Sequence, residues 1–378
     1  MMTVRPDKAL LGIPMVRSIK AQNWASAPPR KALSRRRGCP VVRHPRLAGA
    51  FLEFRMIPVL LWSFTAVLLG TGVAFAETGR FDVLWFLAAL FLGTVIQGFV
   101  THSLNEIYDW RSGTDRHASP RLLSGGSKVL AAGLLGERDL WRLFAASSAT
   151  VGAVAAMAIL WRSPWILLFA GTGYVAGVAY TAPPLRLSYR PFAGEWLGGF
   201  LGVFLAGTGA FFIQALTLTP LAVITAAAHA STCVGMLLVH HYLDHAADRD
   251  ASPRKETTVV FLGLGRAKPY ALAFALAALA LTAAAAILSW AFLVSLAPLA
   301  AVAAAHHRLR PEDLASVTGA EIRIIQGGIV AGVLPAVLLC PFLVIPAILA
   351  VPAYAAHHWL ATSPELAARA AAPAPAEG

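Results

Sequence analysis

The stretch LWFLAALFLGTVIQGFVTHSLNEIYDWRSGTD occupies residues 84–115 and changes from apolar to acidic after Leu104. A second stretch, LAVITAAAHASTCVGMLLVHHYLDHAAD, occupies residues 221–248 and changes in the same way after Leu243. Runs of about 20 apolar residues are long enough to cross a bilayer as helices. Carboxylates at a membrane edge are costly without partners, so they mark functional candidates. The two stretches therefore predict membrane helices that end in chemically active groups.

The rest of the chain has the same apolar character. Of its 378 residues, 57% are hydrophobic and 13% are charged, and the mean hydropathy is +0.65. These values are far from those of soluble domains. The predicted spans are residues 56–76, 84–104, 141–161, 165–182, 196–216, 221–243, 269–288, 290–305 and 325–352. We therefore expect an all-α polytopic membrane protein with about nine transmembrane helices in a bundle and with cytoplasmic cap loops.

The formal net charge is +12, and the positions of the basic residues indicate the orientation of the chain in the membrane and not a nucleic-acid-binding surface. Twelve of the 31 Lys and Arg residues lie in the first 55 residues. With nine spans and a cytoplasmic N-terminus, the other basic clusters also fall on the cytoplasmic side and the C-terminus falls outside. Because Lys and Arg are enriched in cytoplasmic loops, we predict a multi-pass protein of the cell inner (cytoplasmic) membrane. The acidic motifs and their loops then face the cytoplasm.

Composition also divides the chain into three parts. Residues 1–50 form a basic leader that we expect to be disordered and dispensable. Residues 51–352 form the membrane domain, and residues 353–378 form a low-complexity tail. Long polar segments at 105–140 and 244–268 follow the two acidic motifs, and loops of this length are usually functional. We expect them to cap a cavity among the helices. The three Cys residues form no metal or disulfide pattern.

The acidic residues form two sets with helical spacing. Asn105 and Asp109 are four residues apart, as are Asp244 and Asp248, so each pair lies on one helix face. One such pair is common on exposed helices, but two at the ends of spans favour a site. Mg²⁺ is usually shared between a few carboxylates and substrate phosphates. The four residues of these pairs, together with Asp115, are therefore candidates for holding such a cation. Asp115 lies beyond Gly113, where we expect the helix to break and the chain to fold back, whereas Glu106 points elsewhere on its helix.

Basic residues near both motifs are candidates for binding a diphosphate, whose negative charge grows as it leaves. They are Arg116, Arg121, Lys128, Arg186, Arg254 and Lys255. Positive-inside topology alone also accounts for each of them. His240 and His241 precede the second pair by one turn and either contact metal-bound water or the acceptor, or line the bundle interior. Glu195 enters a span, and we expect a basic partner for it in the cap.

The region from about residue 50 to 352 resembles the UbiA superfamily of intramembrane prenyltransferases. The features that carry the resemblance are Asn105, Asp109 and Asp115 with a six-residue final gap, Tyr180…Pro183-Pro184-Leu185-Arg186, Gly194-Glu195, and Asp244-x3-Asp248 followed by Arg254-Lys255-x-Thr257-Thr258. They look most like the 1,4-dihydroxy-2-naphthoate polyprenyltransferase branch of menaquinone biosynthesis. The superfamily commonly has Asn where this chain has His240 and His241, and the loop after Asp248 is slightly longer here.

The resemblance implies a nine-helix bundle whose acidic motifs bind Mg²⁺ and an isoprenyl diphosphate in the bilayer. It implies that the Mg²⁺ ligands are Asn105, Asp109, Asp115, Asp244 and Asp248 and that Asp109 and Asp244 are essential for catalysis. An allylic cation would be attacked by an aromatic acceptor, with Tyr108, Tyr174 and Tyr180 as candidate walls of a tunnel for the isoprenoid tail. Alternative acceptors are 4-hydroxybenzoate, homogentisate, a chlorophyll precursor or a glycerol ether lipid. The non-enzyme alternative is a membrane transporter with acidic gates. Chain length, catalytic base and oligomeric state are not predicted from the sequence.

Overall fold

The computed structural model describes residues 44–117 and 126–371, and this part of the chain contains ten apolar helices. They are α1 (Pro45–Thr78), α2 (Val83–Ser112), α3 (Glu137–Trp161), α4 (Ile166–Thr181), α5 (Gly194–Ala215), α6 (Pro220–Asp250), α7 (Leu264–Leu288), α8 (Trp290–Arg308), α9 (Leu314–Leu339) and α10 (Pro341–Ala361). Nine are long and apolar enough to cross a bilayer, and α4 is shorter, with 16 residues. The predicted all-α polytopic membrane fold is confirmed.

The last predicted span was wrong, because residues 325–352 cover parts of two helices. Asp313 caps α9, accepting hydrogen bonds from the backbone N–H groups of Ala315 and Ser316. The helix ends at Cys340, whose backbone is extended, and Pro341 opens α10. Proline fits the first helical turn but cannot continue a preceding helix. The break was hidden in the sequence because both helices are apolar.

The second of these helices returns the chain to the end of the bundle where α2 and α6 finish, here called the acidic end. Leu360 and Leu366 pack in one apolar cluster with Leu52 of α1 and Val129 of a cap loop. The chain after the last span was expected on the opposite side, and for the described residues up to 371 this expectation is wrong. A further helix, Pro364–Ala370, continues beyond α10, so the segment from residue 353 begins as helix.

The start of the chain also differs from the expected boundary. Helix α1 begins at Pro45, whereas the first span was predicted at residue 56 and the membrane domain at residue 51. The helix is interrupted at Arg55, which has a positive φ of 51°. Most of the predicted leader lies outside the described residues. The additional turns at the start of α1 lie at the acidic end of the bundle.

Helices α1 and α6 form the centre of the bundle, because 83% of the apolar window of each is buried. Small residues let the neighbouring helices approach α1 closely. A Cβ atom on Gly70 would overlap the carbonyl oxygen of Gly207 in α5, and one on Gly332 in α9 would overlap Thr65. In a membrane, such close backbone packing replaces the hydrophobic effect as the force between helices. The remaining spans are 17–39% buried and present apolar side chains outward.

Three π-helical segments and three loops shape the part of the bundle around the acidic end. The π-helical segments are Leu60–Phe64 in α1, Ile96–Thr101 in α2 and Gly194–Phe200 in α5, and such segments are frequent at functional sites. The loops connect α2 to α3, α4 to α5, and α6 to α7, and all three lie at the acidic end. The loop after α6 contains the short helix Thr258–Leu262. The described parts of the three loops form the predicted cap.

Replacing Gly70 with Val tests the α1–α5 contact. Because its Cβ would overlap a backbone carbonyl, we expect the purified protein to lose about 3 kcal/mol of stability and to unfold at a lower temperature in detergent. The matched control is Gly152→Val on the exposed face of α3, where an added Cβ meets no atom within 4 Å. Equal thermal unfolding of the two variants would contradict this packing account.

Candidate active site

A cavity of about 230 Å³ runs from the acidic end into the bundle and is lined by both acidic motifs. Asn105, Asp109 and Asp115 approach it from α2 and the turn that follows, while Asp244 approaches from α6. Because α2 and α6 run in the same direction and end at the same level, residues 135 apart in the chain meet there (244 − 109). Asp248 is completely buried next to this wall.

Three donors surround the Asp109 carboxylate. The Asn105 side-chain amide donates to it at 2.7 Å, the Tyr189 hydroxyl donates at 2.8 Å, and the Lys255 ammonium donates at 2.7 Å. Asp109 is only 2% exposed. These three hydrogen bonds compensate the carboxylate for its removal from water. Sequence reasoning missed Tyr189, which follows Pro183-Pro184 and reaches the site from a short 3₁₀ helix, Leu187–Tyr189.

The second motif is less completely paired. Asp244 Oδ2 lies 3.4 Å from the Nε2 atom of His240, while Asp244 Oδ1 has no hydrogen-bond partner. Neither side-chain oxygen of Asp248 has a hydrogen bond, although Lys255 Nζ lies 3.8 Å from one of them. Buried carboxylate oxygens without donors are costly. Their environment therefore favours a bound cation.

Lys255 lies between the two motifs. Its ammonium pairs with Asp109 and, at longer range, with Asp248, and its backbone N–H donates to the Asp248 carbonyl at 3.0 Å. Burial disfavours the charged form, but the carboxylates of Asp109 and Asp248 outweigh it and raise the pKa of Lys255 well above its usual value. Lys255 therefore carries a fixed positive charge in the centre of the site.

Asp115 turns back towards Asp109, as expected from its position beyond Gly113. Gly113 has a φ of 89°, which ends α2, and Asp115 follows in the short helix Thr114–His117. Burial, together with the charges of Asp109 and Glu106, raises the pKa of Asp115 well above its usual value. Its Oδ2 atom has no hydrogen-bond partner. A nearby cation would favour the ionised form.

A cap loop is held by two carboxylates that sequence reasoning undervalued. Glu106, which we expected to point away from the site, is 3% exposed and accepts the Ser127 backbone N–H at 2.7 Å. Glu53 is fully buried and accepts the Ser127 hydroxyl at 2.6 Å. Gly126 has a φ of 68°, and its Cβ would lie 2.5 Å from oxygens of Asp115 and Glu106. The loop can therefore approach this closely only with glycine there.

The predicted basic residues occupy different environments. Lys255 lines the cavity and Lys128 is buried beside it, where burial and the Arg55 charge lower the pKa of Lys128 to about 7. The other three that the structure describes lie outside the cavity lining: Arg116 over the Trp110 ring, Arg186 over the Tyr189 ring, and Arg254 near Glu256. Arg121 lies outside the described residues. Arg55 lines the cavity and was not among the sequence candidates.

The two histidines of α6 are each paired with a buried glutamate. His240 Nδ1 lies 2.9 Å from Glu321 of α9, and His241 Nδ1 lies 3.6 Å from Glu195 of α5. Glu195 also accepts the Thr258 hydroxyl at 2.8 Å. The expected basic partner of Glu195 is thus a histidine from a span, not a residue of the cap. Both histidines line the cavity.

Of the three tyrosines proposed as tunnel walls, Tyr180 lines the cavity and packs against Gly198. Tyr174 instead donates its hydroxyl to Ser148, and Tyr108 lies under Arg111. Below Tyr180 the lining becomes apolar. It includes Leu92, Ile166, Phe169, Gly173, Leu205 and Ile213. The cavity therefore has a charged opening at the acidic end, here called the mouth, and an apolar interior.

The residues at the mouth suit a hard divalent cation. The described residues contain no group of three or more His, Cys, Asp or Glu side chains arranged to hold a metal ion. Mg²⁺ does not require one, because it commonly takes one or two carboxylates and completes its shell with phosphates and water. The unpaired oxygens of Asp115, Asp244 and Asp248 can supply such carboxylates. The donor set therefore fits the ion when a diphosphate is also bound.

Comparisons with known proteins agree with this geometry. The model of the UbiA prenyltransferase family matches residues 63–324. The 1,4-dihydroxy-2-naphthoate octaprenyltransferase of Escherichia coli (strain K12) is 27% identical over 233 residues, covering 58% of this chain and 71% of that protein.

The fold is similar to that of a UbiA homolog from Archaeoglobus fulgidus bound to GPP and Mg²⁺. The TM-score is 0.52, with 18% identity, and the match covers 82% of this chain and 99% of that one. For the homolog bound to DMAPP and Mg²⁺, the TM-score is 0.51 at 17% identity, with 82% and 98% covered. The family match extends over most of the helical bundle and both acidic motifs. The chain belongs to the UbiA prenyltransferase family and is a multi-pass membrane enzyme that transfers prenyl groups.

Proposed function

We propose that this enzyme transfers a polyprenyl group from an isoprenyl diphosphate to 1,4-dihydroxy-2-naphthoate, with Mg²⁺ as its cofactor. The observation that carries the proposal is the single cavity that joins both acidic motifs to an apolar interior. A charged mouth matches a diphosphate and its metal ion, and the interior matches an isoprenoid tail. The 27% identical relative supports this acceptor over 4-hydroxybenzoate, homogentisate, a chlorophyll precursor or a glycerol ether lipid.

The diphosphate would lie between the two motifs. Asn105, Asp109 and Asp115 would hold Mg²⁺ from one side, and Asp244 and Asp248 would hold it from the other. Bound there, the ion supplies Lewis-acid neutralisation of the leaving diphosphate. Lys255 and Arg55 line the same mouth, so their charges are in place to stabilise the diphosphate as the allylic C–O bond breaks. Lys128 supports this end of the site from the cap loop.

The remaining predicted diphosphate ligands would act through the cap. Arg116, Arg186 and Arg254 lie outside the cavity lining but at the acidic end, where they would attract the anionic substrate before it binds. Gly126 lines the cavity and the neighbouring Ser127 is held by Glu106, so this part of the loop would exclude water from the allylic cation. These residues therefore serve the approach and the protection of the substrate.

The tail would extend along α4. From Tyr180 to Ile166 the cavity follows 14 residues of this helix (180 − 166), or about 21 Å at 1.5 Å per residue. The cluster of lysines and arginines near the acidic end supports a cytoplasmic orientation. The enzyme would then receive its soluble acceptor from the cytoplasm and its lipid substrate from the inner membrane.

The test is an assay of the purified full chain with Mg²⁺, a radiolabelled polyprenyl diphosphate and a panel of aromatic acceptors. We expect product with 1,4-dihydroxy-2-naphthoate and its loss with a chelator. Asp244→Asn should lower turnover by at least about 100-fold, because an oxygen ligand of the diphosphate-bound ion loses its charge. Asp109→Asn should lower it at least as much, because this change also removes the ion pair with Lys255.

The matched control is Asp250→Asn, since Asp250 is exposed and pairs only with the adjacent Arg249 at 2.8 Å. This control should retain activity. Product with another acceptor would replace the proposed acceptor and keep the chemistry. Absence of any Mg²⁺-dependent diphosphate release in the unmodified enzyme would refute the proposal.

The lowered pKa of Lys128 predicts a pH dependence. Below about pH 7 its ammonium is charged and attracts the diphosphate, and above that pH the charge is lost. We expect kcat/KM for the prenyl diphosphate to fall about fivefold between pH 7 and pH 8, since this parameter reports the free enzyme. Lys128→Arg keeps its charge and should flatten this profile. An identical profile in both enzymes would exclude Lys128 as the titrating group.

Gly173 tests the tail tunnel. An added Cβ there meets no atom within 4 Å, so Gly173→Leu should fold and project its side chain into the cavity. We expect kcat/KM for octaprenyl diphosphate to drop by at least tenfold while that for geranyl diphosphate changes little, because only the long tail reaches this depth. Gly152→Leu, on the outer face of α3, is the control. Equal losses for both substrates would place the tail elsewhere.

A further inference from the structure

His240 contacts a carboxylate with each of its ring nitrogens. Nδ1 lies 2.9 Å from Oε1 of Glu321, and Nε2 lies 3.4 Å from Oδ2 of Asp244. Glu321 is 1% exposed, so it is a fixed acceptor inside the bundle. Because a carboxylate accepts hydrogen bonds, the neutral ring that binds a metal ion carries its proton on Nδ1, towards Glu321. Nε2 is then the ring nitrogen next to Asp244 that can ligate a cation.

This arrangement has the form of a metal-ligating histidine. Such histidines donate their second ring nitrogen to a carboxylate, which fixes the tautomer and increases the basicity of the ligating nitrogen. Two donors about 2.1 Å from one ion are separated by about 3.0 Å in octahedral geometry and about 3.4 Å in tetrahedral geometry. The observed 3.4 Å between His240 Nε2 and Asp244 Oδ2 lies in this range.

A second observation points to the same position. Asp244 Oδ1 is buried without a hydrogen-bond partner, as are both side-chain oxygens of Asp248 one turn further along α6. Lys255 forms ion pairs with Asp109 and Asp248. His240 Nε2 therefore lies beside an Asp244 carboxylate whose other oxygen is buried without a donor.

We propose that His240 is a nitrogen ligand of the cation held by the second acidic motif, with Glu321 as the carboxylate that orients it. The location of this cation rests on the proposed function, since the diphosphate would supply its further ligands. Imidazole nitrogen suits transition metals better than Mg²⁺, which prefers oxygen. The second motif of this enzyme thus binds Mn²⁺, Co²⁺ or Zn²⁺ more tightly than an all-oxygen site does.

The test is pulsed electron paramagnetic resonance of the purified full chain with Mn²⁺, alone and with inorganic pyrophosphate. We expect a coupling between Mn²⁺ and a directly bound ¹⁴N nucleus. His240→Asn should abolish this coupling and lower Mn²⁺ affinity by about 10- to 100-fold, with a smaller change for Mg²⁺. Glu321→Gln keeps the ligand but disturbs its orientation, and it should also lower Mn²⁺ affinity.

The matched control is His241→Asn, since His241 is the adjacent histidine and pairs with Glu195 instead. It should retain the nitrogen coupling. Bound Mn²⁺ without nitrogen coupling, or coupling that survives in His240→Asn, would overturn the proposal. If His240 is instead an imidazolium that pairs with both carboxylates, Mn²⁺ should bind without any nitrogen coupling.

Prenyl transfer with Mg²⁺ is measured on the same preparations, which separates the two proposals. Nitrogen coupling without any prenyl product in the unmodified enzyme would support the ligand and refute the proposed function. Prenyl product without nitrogen coupling would support the proposed function and refute His240 as a ligand. Mg²⁺-dependent product in His240→Asn together with loss of the coupling would support both.

Discussion

The ammonium group of Lys255 joins the two halves of the bundle. It donates at 2.7 Å to Asp109, which lies 146 residues earlier in the chain, and it also pairs with Asp248 at 3.8 Å. All three side chains are buried. Removing one partner from such a pair leaves an uncompensated charge and costs about 3–5 kcal/mol. The relative position of α2 and α6, and hence of both acidic motifs, depends on this contact.

Carboxylates around this contact have two kinds of environment. Glu53 and Glu106 each accept a hydrogen bond from Ser127, so they fix a cap loop. Glu53 keeps one buried oxygen, Oε1, without a donor, whereas both side-chain oxygens of Asp248 and Oδ1 of Asp244 lack one. The same chemical group is therefore structural in one place and available to a cation in the other. The difference comes from hydrogen-bond partners, which are set by the fold and not by residue type.

Much of this organisation could be predicted from the sequence. The lengths of the apolar runs predicted the membrane helices, and helical spacing placed Asn105 beside Asp109 on one face of α2. Positions beyond a chain reversal were harder, because Tyr189 and Ser127 reach the site through turns that periodicity does not describe. Glu106 was misjudged because helix geometry shows which way a side chain points, but not which loop covers it. The α9–α10 break was missed since both helices are apolar.

Helix α10 comes after all the other apolar helices of the described chain. Leu360 and Leu366 pack with Leu52 and Val129 in one cluster, so the two ends of the described chain support the same cap loop. Domains and helices generally form in the order of synthesis. The loop that carries Lys128 therefore lacks part of its apolar support until α10 is inserted. The active site therefore needs α10 as well as the helices that carry its side chains, and a product truncated before α10 would lack a fully supported cap.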